Sequence, residues 1–284
     1  MLKQRILTAL VLLALLLPAL WMQSPWLLAC LMGLLVMGAA WEWARMNQLK
    51  APTQVVAPLF FYLLLGIAIY PVWGNDFPAT LVTIALWLVT IVWLLGVPWM
   101  LAFGLKRWLR IPQALRLVLG WLLITTCAFA LIAAHQVGLN FLLSILCLVW
   151  VADIFAYFGG RLWGRRKLAP SISPGKTWAG VYTAAVGVLM MSGVWIWVDT
   201  QYSNPVPSLY TRMWHVSPWF WLAGTLFLLV FSVCGDLVES LVKRVSGFKD
   251  SSQLLPGHGG VLDRIDALLP VLPLSWLIYW GLTA

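Results

Sequence analysis

The stretch HGGVLDRID at 258–266 gathers a histidine, an arginine and two aspartates in a 284-residue chain of which only 10% is charged. Asp263 and Asp266 stand at i, i+3, so on a helix both project from one side of its first turn, while Arg264 points elsewhere. Hard oxygen ligands of this kind suit Mg²⁺, which takes one or two carboxylates together with substrate phosphates and retained waters. Gly257, Gly259 and Gly260 permit close backbone approach, and His258 and Lys249 bring donors for phosphate. Acids for a metal mixed with bases for phosphate are the requirement of a nucleoside triphosphate site.

Two further stretches could join such a site. In GDLVESLVKR, Asp236, Glu239, Ser240 and Lys243 fall at i, i+3, i+4 and i+7, one face of a helix. A Glu239–Lys243 pair would be worth only about 0.2–0.5 kcal/mol. It leaves Asp236 unexplained, because an acid within a membrane helix costs about 2.5–3.5 kcal/mol on insertion scales. SPGKT at 173–177 is not a nucleotide P-loop, since Pro170 stands where that motif needs glycine. It is either a helix start with Pro174 as a turn residue, or an anion site in which Ser173, Gly175, Lys176 and Thr177 meet phosphate at a helix N-terminus. Asp153, in VWVADIFAYFGGR, is either a site residue or the partner of a nearby arginine. Arg161, Arg165, Arg166 and Lys167 either mark topology or reach a lipid phosphate.

The elements that carry these residues are membrane helices. Apolar residues make up 62% of the chain, with 20 tryptophans and a mean hydropathy of +0.92, against an apolar share of about 45–50% in soluble domains. A bilayer core needs roughly 20 apolar residues per helix, and nine such spans are expected near 6–22, 26–41, 55–72, 79–104, 116–134, 138–157, 178–198, 218–238 and 261–281. With the N-terminus cytoplasmic and the C-terminus outside, 17 of the 18 Lys and Arg residues fall on the cytoplasmic side, and only Arg212 lies across the membrane. The first span is expected to be retained, not cleaved as a signal peptide. The net charge of +9 suits an anionic leaflet as well as an anionic substrate. Cys30, Cys127, Cys147 and Cys234 form no CxxC pair, so neither a disulfide framework nor a thiolate metal site is expected.

The acids divide the chain. Residues 1–135 hold only Glu42 and Asp76, and this part is expected to be a lipid-facing scaffold. Residues 136–284 hold the other seven acids and are expected to form the catalytic membrane region, with cytoplasmic loops at 159–177 and 240–262. An ion transporter would place its carboxylates nearer mid-membrane and would need a polar path across, which this one-sided charge distribution does not provide. A purely structural protein would not need the glycine-rich HGG stretch beside paired acids.

The run S-L-V-K-R at 240–244, followed by K-D-S-S-Q-L-L-P-G-H-G-G-V-L-D-R-I-D at 249–266, resembles the signature of the phosphatidate cytidylyltransferase, or CDP-diacylglycerol synthase, family. GRRKLAPSISPGKTWAG resembles the family's second inner loop, and Asp153 with Ala156 and Tyr157 resembles its aspartate motif. Ile154, Phe155, Ser171 and Ala179 depart from the family pattern. The resemblance covers residues 150–266, and AAWEWARM upstream. It implies an all-α polytopic protein of the bacterial inner membrane, commonly a homodimer, that converts CTP and phosphatidate into CDP-diacylglycerol and pyrophosphate at the cytoplasmic face. It also implies Mg²⁺, with a monovalent cation such as K⁺, held by Asp236, Asp263 and Asp266. No nucleic-acid partner is expected.

On chemical grounds Lys243, Arg244, Lys249 and His258 are added as phosphate ligands. The expected catalytic set is then Asp263, Asp266, Lys249, Lys243 and His258. The expected substrate-binding set is Ser173, Lys176, Thr177, Arg244, Arg264, Arg166, Lys167 and Asp153. A CTP-dependent lipid kinase is the alternative enzyme, since such proteins share part of the signature.

Overall fold

The computed structural model describes residues 2–21, 25–73, 79–103 and 108–283. Its helices, in chain order, are α1 Leu2–Trp21, α2 Pro25–Met46, α3 Thr53–Trp73, α4 Ala79–Ile91, α5 Val97–Phe103, α6 Gln113–Val137, α7 Leu139–Trp163, α8 Trp178–Gln201, α9 Leu209–Val216, α10 Pro218–Val245, α11 Leu262–Ile265 and α12 Leu268–Thr283. A π-helical turn, Val92–Gly96, joins α4 to α5. Six stretches of the described residues are long and apolar enough to cross a membrane: Leu27–Met46, Ile84–Ala102, Gln113–Val137, Leu139–Trp163, Trp178–Gln201 and Pro218–Val245. Thr53–Leu65 and Leu268–Thr283 are shorter apolar helices. The architecture is that of an all-α polytopic membrane protein. Of the basic residues expected inside, Lys106 and Arg107 lie outside the described residues, as does the acid Asp76.

Among the described residues the all-α class has a local exception. Within the stretch read as an inner loop, β1 (Lys167–Ala169) and β2 (Ser173–Thr177) pair antiparallel, with Lys167 opposite Thr177 and Ala169 opposite Ser173. The helices also outrun the expected spans. α7 continues to Trp163 and α10 to Val245, so the residues placed in loops at 159–163 and 240–245 are helical.

The chain divides into two compact units, one made of residues up to Ala128 together with Val242–Ile265, the other of Phe129–Leu241 together with Asp266–Ala284. Inside the first, indole N–H groups tie neighbouring helices through main-chain carbonyls. Trp43 Nε1 donates to Arg116 O at 2.9 Å and Trp121 Nε1 to Ala40 O at 3.1 Å. Such bonds satisfy the one polar atom of a large apolar ring in a buried place.

In the second unit, α7 and α8 pack by means of small residues. A side chain at Gly159 would strike Thr183, one at Gly180 the carbonyl of Ala156, and one at Gly187 the ring of Phe155. Close backbone approach through small residues is how helices associate where hydrocarbon removes the hydrophobic drive. Trp150, Ile154, Tyr157 and Phe158 on α7, and Tyr182, Val186, Met190 and Trp197 on α8, are exposed. Acyl chains can cover that apolar surface, whereas water would not tolerate it. Asp199, buried near the end of α8, accepts from Asn140 Nδ2 (2.9 Å), Asn204 Nδ2 (3.2 Å), Ser208 N (2.8 Å) and Thr211 Oγ1 (2.7 Å). This one carboxylate fixes the turn into α9, and its role is structural.

Candidate active site

In the second unit, four of the expected residues act on one another. The hairpin of β1 and β2 places Lys176 on a strand, not on the helix start that its sequence suggests. Lys176 Nζ reaches Asp236 Oδ2 at 2.5 Å, and Ser240 Oγ, one turn along α10, donates to Asp236 Oδ1 at 3.2 Å. Thr177 takes the helix-start role. Its Oγ1 accepts from Gly180 N at 3.2 Å and caps α8.

Asp266 occupies the turn between α11 and α12, where its Oδ1 accepts from Ala267 N at 2.7 Å. Gly235 allows that turn to lie against α10, since a side chain there would meet the Asp266 carbonyl and the Pro270 ring. Burial first, and then the Asp236 carboxylate, push the Asp266 acid up to about 7. Ala267 N–H and Lys176 pull it down, and Asp153 adds a further upward push. Asp153, Asp236 and Asp266 therefore share one electrostatic environment, with Lys176 as a compensating cation.

The first unit contains a second arrangement, centred on Asp263. Its Oδ1 accepts from Lys243 Nζ at 2.6 Å, with side-chain exposures of only 14% and 9% for the lysine and the acid. Ser251 N lies 3.2 Å from Oδ1 and 3.0 Å from Oδ2, and Gly260 N donates to Oδ2 at 2.8 Å. Ser251 Oγ is 3.0 Å from Asp263 Oδ2 and also 3.0 Å from Glu42 Oε2, so its single proton serves one acid at a time. A metal role for Asp263 would require exchange of at least one of these donors.

Between Ser251 and Gly260 the chain folds back on itself. Leu255 N donates to Gly259 O at 2.9 Å and His258 N to Leu255 O at 2.8 Å. Gly257 (φ +76°) and Gly259 (φ +85°) adopt the left-handed conformation that side chains disfavour. Arg264 Nε closes the fold on His258 O at 2.9 Å, and His258 Nδ1 is buried with no hydrogen-bond partner among the described residues.

Glu42 is the residue that sequence reasoning missed. It is fully buried on α2 and accepts from Ser252 Oγ (2.5 Å), Val261 N (2.9 Å) and Leu262 N (2.8 Å) as well as facing Ser251 Oγ. The signal that could have found it was an isolated acid in the apolar run GAAWEWA, which by insertion cost alone demands a partner.

The other expected residues are more peripheral. Arg244, Lys249 and Arg264 are exposed, as are Arg165, Arg166 and Lys167. Arg166 lies over the Trp178 ring, 5.7 Å from its centroid, and Arg161 donates to Tyr157 Oη at 3.3 Å. Ser173 sits at the start of β2, opposite Ala169. All four cysteines are free thiols.

Among the described residues no group of three or more His, Cys, Asp or Glu side chains is placed to hold a metal. The raised pKa of Asp266 reflects burial first and the neighbouring Asp236 carboxylate second.

The Cytidylyltransferase family model matches residues 3–282. The phosphatidate cytidylyltransferase of Pseudomonas aeruginosa is 35% identical over 286 residues, covering 99% of each chain. That of Haemophilus influenzae is 36% identical over 298 residues, again covering 99% of each. A phosphatidate cytidylyltransferase from Staphylococcus aureus is 42% identical over 137 residues, 48% of each chain. With matches that run almost end to end, the chain belongs to the cytidylyltransferase family.

Proposed function

We infer that this protein is a phosphatidate cytidylyltransferase, transferring the cytidylyl group of CTP to phosphatidate. The observation that carries the reading is the pairing of crowded acids, Asp236 and Asp266, with basic residues on a chain that matches curated phosphatidate cytidylyltransferases over 99% of its length. A phosphate oxygen of phosphatidate attacks the α-phosphorus of CTP. The new P–O bond forms as the bond to the β-phosphate oxygen breaks, and pyrophosphate leaves with that electron pair. A phosphate monoester has its second pKa near 6, so the nucleophile is already ionised at neutral pH and no strong general base is required. Catalysis is then positioning plus charge neutralisation.

Asp236 and Asp266 would hold Mg²⁺, which when bound supplies charge neutralisation to phosphate oxygens. Lys176 keeps Asp236 in place and offsets the negative charge around it. Asp263 holds the glycine fold at 257–260 through Ser251 and Gly260, and keeps Lys243 beside it. His258, Lys249, Arg244 and Arg264 provide donors for phosphate, and Ser173, Arg166 and Lys167 for the lipid headgroup. A cytoplasmic site in a bacterial inner membrane, nine spans and a cytoplasmic N-terminus are supported by the one-sided distribution of Lys and Arg. A homodimer is supported by the family resemblance.

The test is product formation by the purified, detergent-solubilised protein from phosphatidate and labelled CTP, with and without Mg²⁺. Label from the α-phosphate should appear in CDP-diacylglycerol only when the metal is present. Transfer of the γ-phosphate to a lipid alcohol would refute the reading.

A further inference from the structure

Glu42 lies on α2, in the part of the chain whose sequence suggests scaffold, yet its carboxylate meets both ends of the stretch 251–262. Ser251 Oγ and Ser252 Oγ approach from one end, and the amides of Val261 and Leu262 donate from the other. The chain between them carries His258 and the left-handed Gly257 and Gly259, and Asp263 follows directly. One acid therefore closes this segment into a ring.

The donor set explains the choice of side chain. An ionised carboxylate is an acceptor only, with about four lone-pair sites, and Glu42 faces four donors. A glutamine of the same length would turn its NH₂ group toward N–H or O–H groups that also donate. Gly260 belongs to the same design, because a side chain there would collide with Ser251 Oγ and the Glu42 carboxylate.

α2 reinforces the grip one turn further on. Arg45 Nη1 donates to Ser251 O at 3.3 Å and its guanidinium lies 4.5 Å from the Phe248 ring centroid. Ser246 Oγ donates to Met46 O. Ser251 couples the two acids directly, since its hydroxyl stands equally far from Glu42 and Asp263.

We propose that Glu42 is a positioning residue for cytidylyl transfer, holding Ser251, Ser252 and the Val261–Leu262 amides so that Asp263 and His258 keep their reacting geometry. The inference rests on the functional reading above. Glu42 touches no reacting atom; it acts through the segment that it closes.

Glu42→Gln and the milder Ser252→Ala, each in the full-length detergent-solubilised protein, are compared with wild type for melting temperature, KM for phosphatidate and kcat per folded molecule, well below the melting transition. For Glu42→Gln, kcat should fall about 10- to 100-fold, with KM for phosphatidate changed by less than about twofold. Ser252→Ala should lower kcat in the same direction but less, and Glu42→Asp, which keeps the charge, should recover part of the loss. A Glu42→Gln protein that melts earlier but keeps wild-type kcat per folded molecule would overturn the proposal. If Glu42→Gln does not fold, Ser252→Ala decides: reduced kcat supports the role and wild-type kcat overturns it. Wild type that forms no CDP-diacylglycerol overturns the functional reading and this one with it, whereas an active wild type beside an equally active Glu42→Gln overturns this one alone.

Discussion

Replacing Asp263 with asparagine tests the second polar arrangement most directly. Lys243 Nζ, Ser251 N, Ser251 Oγ and Gly260 N donate to this carboxylate. An amide leaves one oxygen and makes the other position a donor. With its oxygen toward Lys243, the NH₂ group faces Ser251 and Gly260; turned over, it faces an ammonium. Either way at least two contacts go, and hydrogen bonds to charged groups are worth about 1.5–3 kcal/mol each. The loss should be about 3–5 kcal/mol, the range for breaking a largely buried ion pair from one side, which Asp263 and Lys243 form at 9% and 14% exposure.

A loss that size, confined to the 251–262 fold, should leave the helices assembled and the reactive geometry disordered. At about 1.4 kcal/mol per tenfold in rate, even 3 kcal/mol corresponds to a drop of roughly 100-fold in turnover. Labelled-CTP turnover in detergent, read beside the melting curve, measures both effects. Wild-type turnover with an unchanged melting temperature would show that these four donors do not hold the segment, and would refute the reasoning.

Two more outcomes follow from the other acids. Lys176→Met should cost less than about 1 kcal/mol of stability, because its pair with Asp236 is partly solvent-exposed, yet it should raise the KM for CTP; unchanged kinetics would return Lys176 to a structural role. In metal-free protein the melting temperature should fall as pH rises from about 4 toward 7: with the folded pKa of Asp266 raised to about 7, the folded state binds more protons than the unfolded state over that window. Thermal melts across that range check it, and Asp266→Asn should flatten the slope.

The acids and bases of 236–266 were legible because polar residues in an apolar chain are costly and therefore carry information. Helix positions were legible from hydropathy, their ends less so: α10 continues to Val245 because Lys243 and Arg244 suit a helix C-terminus as well as a loop. The hairpin at 167–177 was hidden, since LAPSISPGK has turn residues but no two-residue alternation, and with it went the approach of Lys176 to Asp236. Glu42 was hidden for another reason. Its flanking tryptophans read as membrane packing, and its partners stand 209 to 220 positions away, beyond the reach of any local pattern.

That separation has a consequence for biogenesis. α2 leaves the ribosome early with a side chain that its apolar neighbours cannot solvate, and the serines and amides that receive it are translated 209 to 220 residues later. At about 5–20 residues per second, the interval is roughly 10 to 40 seconds. Until then the newborn helix carries an unanswered polar group, and a chain interrupted before Ser251 holds none of the four donors that answer it. The settled packing of α2 thus depends on a segment that is made long after α2 itself.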